Sequence, residues 1–277
     1  MVEFVLRERG GLLVTGAKLL RLMAASSRRR LAQLGELTVR ASFLAVMLYI
    51  FTQLWRAVIE TVDRTPGGYE LGQLVWYMAF AEAIIFTTPS NVEPELDREV
   101  RSGDIAYRIT RPLAFPLHHL AVSFGDRLVR FVFNLAFGVA VAALLVGAIP
   151  FRAEAWLAGL AAALLAIAVD ELFALTLSLS AFWFENTLGL HMMYRRAMLL
   201  LGGALVPLAA YPEWLARVCR ALPFQHFIEG PAKLFVGGDA RGFNALLVSQ
   251  LGWAGGICVL AVVLYRLGLR RVVAQGG

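Results

Sequence analysis

The chain holds 277 residues, 59% of them hydrophobic and 17% charged, with a mean hydropathy of +0.67. Soluble domains are about 45–50% apolar and about 25% charged, so a water-soluble globular protein is excluded, and no polar block is long enough to fold as a soluble domain. The net charge of +6 comes almost entirely from arginines at the ends of apolar runs, a pattern that sets membrane topology and argues against nucleic-acid binding.

Residues 1–36 read as a cytoplasmic segment. From Leu12 to Leu34, Leu and Met alternate with Lys18, Arg21, Arg28, Arg29 and Arg30. This mixture is too apolar for a solvated basic arm and predicts an amphipathic helix lying in the cytoplasmic interface. Its apolar part, Leu12 to Ala25, is broken by Lys18 and Arg21 and has no cleavage context, so a cleaved signal peptide is not expected.

Residues 37–277 read as one transmembrane domain of six spans, since a span needs about 20 apolar residues. The first runs from Leu37 to Ile59, with Arg40 and Arg56 near its ends, placed to snorkel. The second runs from Leu71 to Asn91 and carries Glu82. The third runs from Leu128 to Pro150. The fourth runs from Ala155 to Phe184 and carries Asp170 and Glu171. The fifth, Ala197 to Tyr211, is short and contains Pro207. The sixth runs from Phe243 to Leu267. Basic residues are dense before the first span, between spans two and three, between spans four and five (Arg195, Arg196) and in the tail (Arg270, Arg271), which predicts cytoplasmic termini. Between spans five and six, residues 211–242 are apolar but broken by Pro212, Pro223 and Pro231. They are too apolar for a free loop and too interrupted for a span, so short re-entrant or interfacial helices on the outer side are expected.

The inner loop, residues 92–120, is the most informative stretch. Pro94 suits a first helical position. Glu95 and Asp97 fall in the first turn, and Arg98 and Arg101 in the last, each favourable to the helix dipole. Leu96 and Val100 share a face, and Gly103 suits a left-handed stop. Such consistent capping predicts a two-turn amphipathic helix offered to a soluble partner, with Glu95, Leu96, Arg98, Glu99, Val100, Arg101, Ser102, Gly103 and Asp104 as the docking residues. The plainer alternative is a solvated connector.

Here the chain resembles a family. Glu99-Val100-Arg101-Ser102-Gly103, followed by Tyr107 and Arg111-Pro112, is similar to the inner-loop signature of ABC-2 type transporter permeases. Leu222-Pro223-Phe224, Pro231-Ala232 and Gly237 resemble the segment before the last span in the same group. Gln250, Trp253 and Gly268-Leu269-Arg270-Arg271 with the terminal Gln275-Gly276-Gly277 resemble its closing span and tail. The resemblance implies an all-α polytopic membrane fold with six transmembrane helices, as in ABC-2 or type V exporters. An N-terminal interfacial helix, a cytoplasmic coupling helix and re-entrant outer helices before the last span complete that fold. It further implies a bacterial inner-membrane location, outward transport, a second permease (identical or related) and two separate ATPase subunits that carry the ATP and Mg. The chain itself has no phosphate-cradling Gly-x-x-x-x-Gly-Lys-Ser/Thr: Lys18 follows Ala17 and Lys233 follows Ala232. No cofactor is therefore expected on this chain, and surrounding lipids are its other partners.

Glu82, Asp170 and Glu171 are the candidate pathway residues. A charge at mid-bilayer costs about 2.5–3.5 kcal/mol on insertion scales, so the acids should face the bundle interior, a water-filled path or a partner subunit. They read either as a substrate or proton site or as a buried structural pair. His118-His119, His191 and His226 lack metal-ligand spacing, and Cys219 and Cys258 lie at different expected depths, against a disulfide. The leading expectation is the transmembrane permease subunit of an ATP-driven exporter of a lipid, glycolipid, peptide or drug. The alternative is a proton-coupled secondary transporter using the three acids. An intramembrane enzyme is disfavoured, since His-Glu-x-x-His and Gly-x-Ser-x-Gly are absent.

Overall fold

A computed structural model describes residues 12–62, 68–88, 113, 115–148, 152–184, 186–237 and 240–275. The described residues are helical almost throughout: α1 (Leu12–Leu31), α2 (Leu34–Val62), α3 (Leu71–Ile85), α4 (Phe115–Val146), α5 (Ala153–Leu179), α6 (Leu188–Leu201), α7 (Glu213–Ala221), α8 (Phe224–Phe227), α9 (Glu229–Gly237) and α10 (Ala240–Gln275). Among the described residues, four segments are long and apolar enough to cross a bilayer: Gly35–Thr61, Pro116–Val146, Ala153–Phe182 and Arg241–Arg270. They correspond to the expected first, third, fourth and sixth spans.

The other two expected spans differ from the sequence reading. Helix α3 has 15 residues, about 22 Å at 1.5 Å per residue, short of the about 30 Å hydrocarbon thickness. It opens with Gln73 Oε1 accepting the Glu70 backbone N–H at 3.0 Å and is buried continuously from Leu74 to Ile84. A helix apolar on every side belongs at the centre of a bundle, and α3 packs against α2, α4 and α9. The expected fifth span, 197–211, is not one helix. Helix α6 begins at Leu188, takes in Arg195 and Arg196, and ends at Leu201, after which Gly203 turns at φ +76° and Leu208–Ala210 form a separate short turn. Gly203 supplies a left-handed conformation that other residues resist, and Pro207 lacks the N–H a continuing helix needs.

The carbonyls that end α6 have no intrahelical partner. Three are met from elsewhere: Tyr211 OH donates to Leu200 O at 2.7 Å, the Glu229 N–H donates to Gly202 O at 3.2 Å, and Tyr77 OH donates to Gly203 O. The break is thus tied both to α3 and to the α7–α9 segment.

Helix α2 buries Leu37, Ala41, Leu44, Leu48, Thr52 and Trp55, a stripe at three- and four-residue spacing, yet exposes Val39, Phe43, Val46, Tyr49, Ile50 and Leu54. A helix apolar on its outer face as well is at home in lipid or against another subunit. Helix α1 lies along α4. Ser26 and Ser27 Oγ donate to the Val122 and Gly125 carbonyls, and Arg30 holds Asp126, which Arg130 grips from the other side at 2.7 Å. Gly125 permits this approach: a Cβ there would fall 2.4 Å from Met23 O and 2.8 Å from Met23 Cα.

Residues 211–242, expected as short helices before the last long one, contain α7, α8 and α9. Helix α9 packs on α5 and α3, where Phe235 stacks on Phe80 (centroids 3.8 Å apart) and fills the space that Gly159 leaves. Glu229, at the start of α9, is buried beside Gly203 and paired with the half-exposed Lys233. Burial raises its carboxyl above the ordinary 4.5, while the charges of Lys233 and Arg220 pull it down less strongly. A carboxyl raised in the folded state stabilises the fold when protonated, and that contribution is lost as pH climbs from 4.5 through the raised value. The unfolding midpoint in detergent should therefore fall across that window, and Glu229→Gln should flatten the slope. An unchanged slope in the variant would place the titration elsewhere.

Candidate functional site: a buried ionic cluster at the root of the inner loop

Asp170 and Glu171 are consecutive on α5. One residue step turns a helix by about 100°, so the two carboxyls leave the axis in different directions, and one planar guanidinium reaches both. Arg127, on α4, sits between them. Its Nη2 donates to Asp170 Oδ2, and its Nη1 donates to Glu171 Oε2 at 3.0 Å. The three side chains are only 1%, 2% and 5% exposed, respectively. Further groups complete the cluster. Tyr194 of α6 donates its hydroxyl to Asp170 Oδ1 and stacks on Phe173, with centroids 4.4 Å apart. His119 Nε2 lies 3.8 Å from Glu171 Oε1. Arg127 Nη2 also donates to Thr87 Oγ1 at 3.2 Å and to Thr88 Oγ1 at 3.5 Å. Thr87 and Thr88 follow α3 directly, its turn closed by hydrogen bonds from Thr87 back to Ile84.

Arginine suits this place because its fork presents several donors in fixed directions and keeps its charge when buried. Desolvating three charges is costly, so the cluster adds little net stability over an apolar core, but removing one member strands the others. It joins α3, α4, α5 and α6 at one point. A second, more peripheral group, Arg30, Asp126 and Arg130, lies one residue away along α4 and adds α1 to the same region.

The geometry therefore gathers Asp170 and Glu171 around a cation. Of the two roles weighed for them, it favours the paired, buried one. Glu82 is also buried, on α3, but among the described residues no hydrogen bond or ion pair joins it to the other two acids, and its Oε1 has no partner. The nine docking candidates, Glu95, Leu96, Arg98, Glu99, Val100, Arg101, Ser102, Gly103 and Asp104, lie outside the described residues. His191 hydrogen-bonds Ser178 across 3.0 Å, and among the described residues no cluster of His, Cys, Asp and Glu has the makings of a metal site.

The sequence reading does not reach Asp126 and Arg127, since its third span begins at Leu128, and it gives Arg130, inside that span, no partner. The usable signal was the acidic pair itself. Two adjacent carboxyls in a span require a cation, and Arg127 and Arg130 are the arginines inside the neighbouring helix.

Residues 43–276 match the family model described as ABC-2 family transporter protein. No curated protein and no solved structure matches the chain.

Proposed function

The chain belongs to the ABC-2 family of transporter proteins, the multi-pass membrane permease component of ABC transporters, and from that premise we propose that it serves an ATP-driven exporter. The family match over residues 43–276 carries this reading. Two separate ATPase subunits bind ATP and Mg and dock from the cytoplasm, and a second permease, identical or related, completes the membrane unit. Both termini face the cytoplasm of a bacterial cell, and α1 lies at the inner membrane interface. The α7–α9 segment re-enters the outer leaflet. The substrate is hydrophobic or amphipathic and leaves between the paired permeases or from the bilayer.

Coupling runs through the loop that starts after Thr88. Closure of the ATPase dimer moves a helix formed by residues 95–103. The root of that loop is held by Arg127, so the movement reaches α4, α5 and α6 together. The hydrogen bonds from Arg127 to Thr87 and Thr88 support this route. The pairing of Asp170 and Glu171 with Arg127 weighs against their use by a proton-coupled transporter and leaves that reading with Glu82 alone.

The test is purification from the native membrane followed by ATPase assay. A soluble ATPase should co-purify with the wild-type chain. Arg101→Glu and Asp104→Arg should lose that subunit or uncouple its hydrolysis from transport. A chain that purifies alone and moves solute on a proton gradient would overturn the proposal.

A further inference from the structure

An apolar groove opens on the outside of the bundle between the start of α4, the C-terminal half of α5 and the C-terminal half of α10. It is lined by Leu120, Leu172, Leu179, Val262 and Tyr265 among others, and Arg266 stands at its edge. Its volume, counting the open mouth, is about 650 Å³. The floor is the cluster formed by Leu175, Leu179, Phe182, Ala261 and Tyr265.

Three observations bear on what fits this groove. First, the lining is almost wholly carbon, in helices apolar enough to span a bilayer, so a hydrocarbon fits where a polar solute would lose its hydration. Second, the groove follows the helix axes. Leu172 to Leu179 covers seven residues, about 10 Å at 1.5 Å each, against about 15 Å for one leaflet of a hydrocarbon core about 30 Å thick. Third, a cation stands beside the lining, to which Arg266 contributes carbon atoms. Arg266 is exposed and has no carboxylate partner among the described residues, and Arg270 follows one turn later, also exposed. The N-terminal end of α4 and the C-terminal ends of α5 and α10 meet there, so the groove lies on the membrane face that bears the C-terminal arginines.

We propose that this groove is a resident lipid site that takes an acyl chain of an anionic phospholipid, with its phosphate on Arg266. Ordinary solvating lipid would respond alike to the loss of any exposed arginine. The site faces the surrounding leaflet and requires neither ATP nor a transported substrate, so it stands whether or not the exporter reading holds.

The full-length chain, purified in mild detergent with whatever subunits accompany it, is titrated with dioleoylphosphatidylglycerol or dioleoylphosphatidylcholine, and bound lipid is counted by native mass spectrometry. Phosphatidylglycerol should bind more tightly. Arg266→Gln should weaken it about fivefold, the share of one basic residue near the membrane surface, and leave phosphatidylcholine unchanged. Val262→Trp, which fills the groove, should remove both. Arg217→Gln, on exposed α7, should change neither. Equal binding of the two lipids, or the same loss in Arg217→Gln as in Arg266→Gln, would overturn the proposal. If Val262→Trp does not fold, the arginine pair still decides the outcome.

Discussion

Arg127→Leu should be the most damaging single substitution in the described fold, lowering stability by about 3–5 kcal/mol. The variant leaves Asp170 and Glu171 buried without their cation and breaks the tie to Thr87 and Thr88. The triple variant Arg127→Leu, Asp170→Asn, Glu171→Gln should regain much of the loss, because no net charge is then stranded in the bundle. Thermal unfolding in detergent, followed by reaction of the buried Cys219 thiol with a dye, reads both variants. A triple variant no better than the single one would show that hydrogen bonding, rather than charge balance, dominates the cluster. If the triple variant folds but its partner ATPase no longer responds to substrate, the cluster transmits motion as well as holding helices.

Gly125→Leu should detach α1 from α4. The side chain would begin 2.4 Å from Met23 O and 2.8 Å from its Cα. Those are backbone atoms that cannot rotate aside, so the whole helix has to move. Overpacking of this kind costs about 1–3 kcal/mol, and it also strips the Ser27 hydrogen bond to Gly125 O and the Arg30 contact with Asp126. Limited proteolysis should then cut within residues 12–31 at concentrations of protease that spare the wild type, while the rest of the chain resists. Equal resistance in the two proteins would mean that α1 is held by something other than this contact.

The long helices were legible because a sustained apolar run has few alternatives in a chain this hydrophobic. The sequence reading and the structure agree closely on α2 and α5, and α10 runs past the expected end at Leu267 to Gln275. They part where length is decided by something other than hydropathy. The apolar run of α3 continues through Phe86, yet the helix stops at Ile85, where the turn is closed by Thr87 hydrogen-bonding back to Ile84. In α6, Arg195 and Arg196 looked like loop residues, but the helix begins before them, ends at Leu201, and the chain turns at Gly203 with positive φ just after the cap at Gly202. The acids of α5 were visible as an anomaly. Their partner was not, since spacing along one helix says nothing about which residue of another helix lies opposite. The choice of Arg127 over Arg130 is a result of packing: Arg130 is already engaged by Asp126, four residues back on its own helix.

The three carbonyls at the end of α6 carry a consequence for how the protein is made. The chain emerges from the ribosome in order, so Tyr77 already exists when Gly203 is synthesised, whereas Tyr211 and Glu229 do not. The oxygens of Leu200 and Gly202 meet those two donors only once the later residues have been made, and until then water serves them. Helix α6 therefore cannot complete the contacts that close its C-terminal end until the turn at Tyr211 exists. Closure of that end waits for the turn at Tyr211 and then for the start of α9, so the middle of the bundle is finished by a segment made near the end of translation.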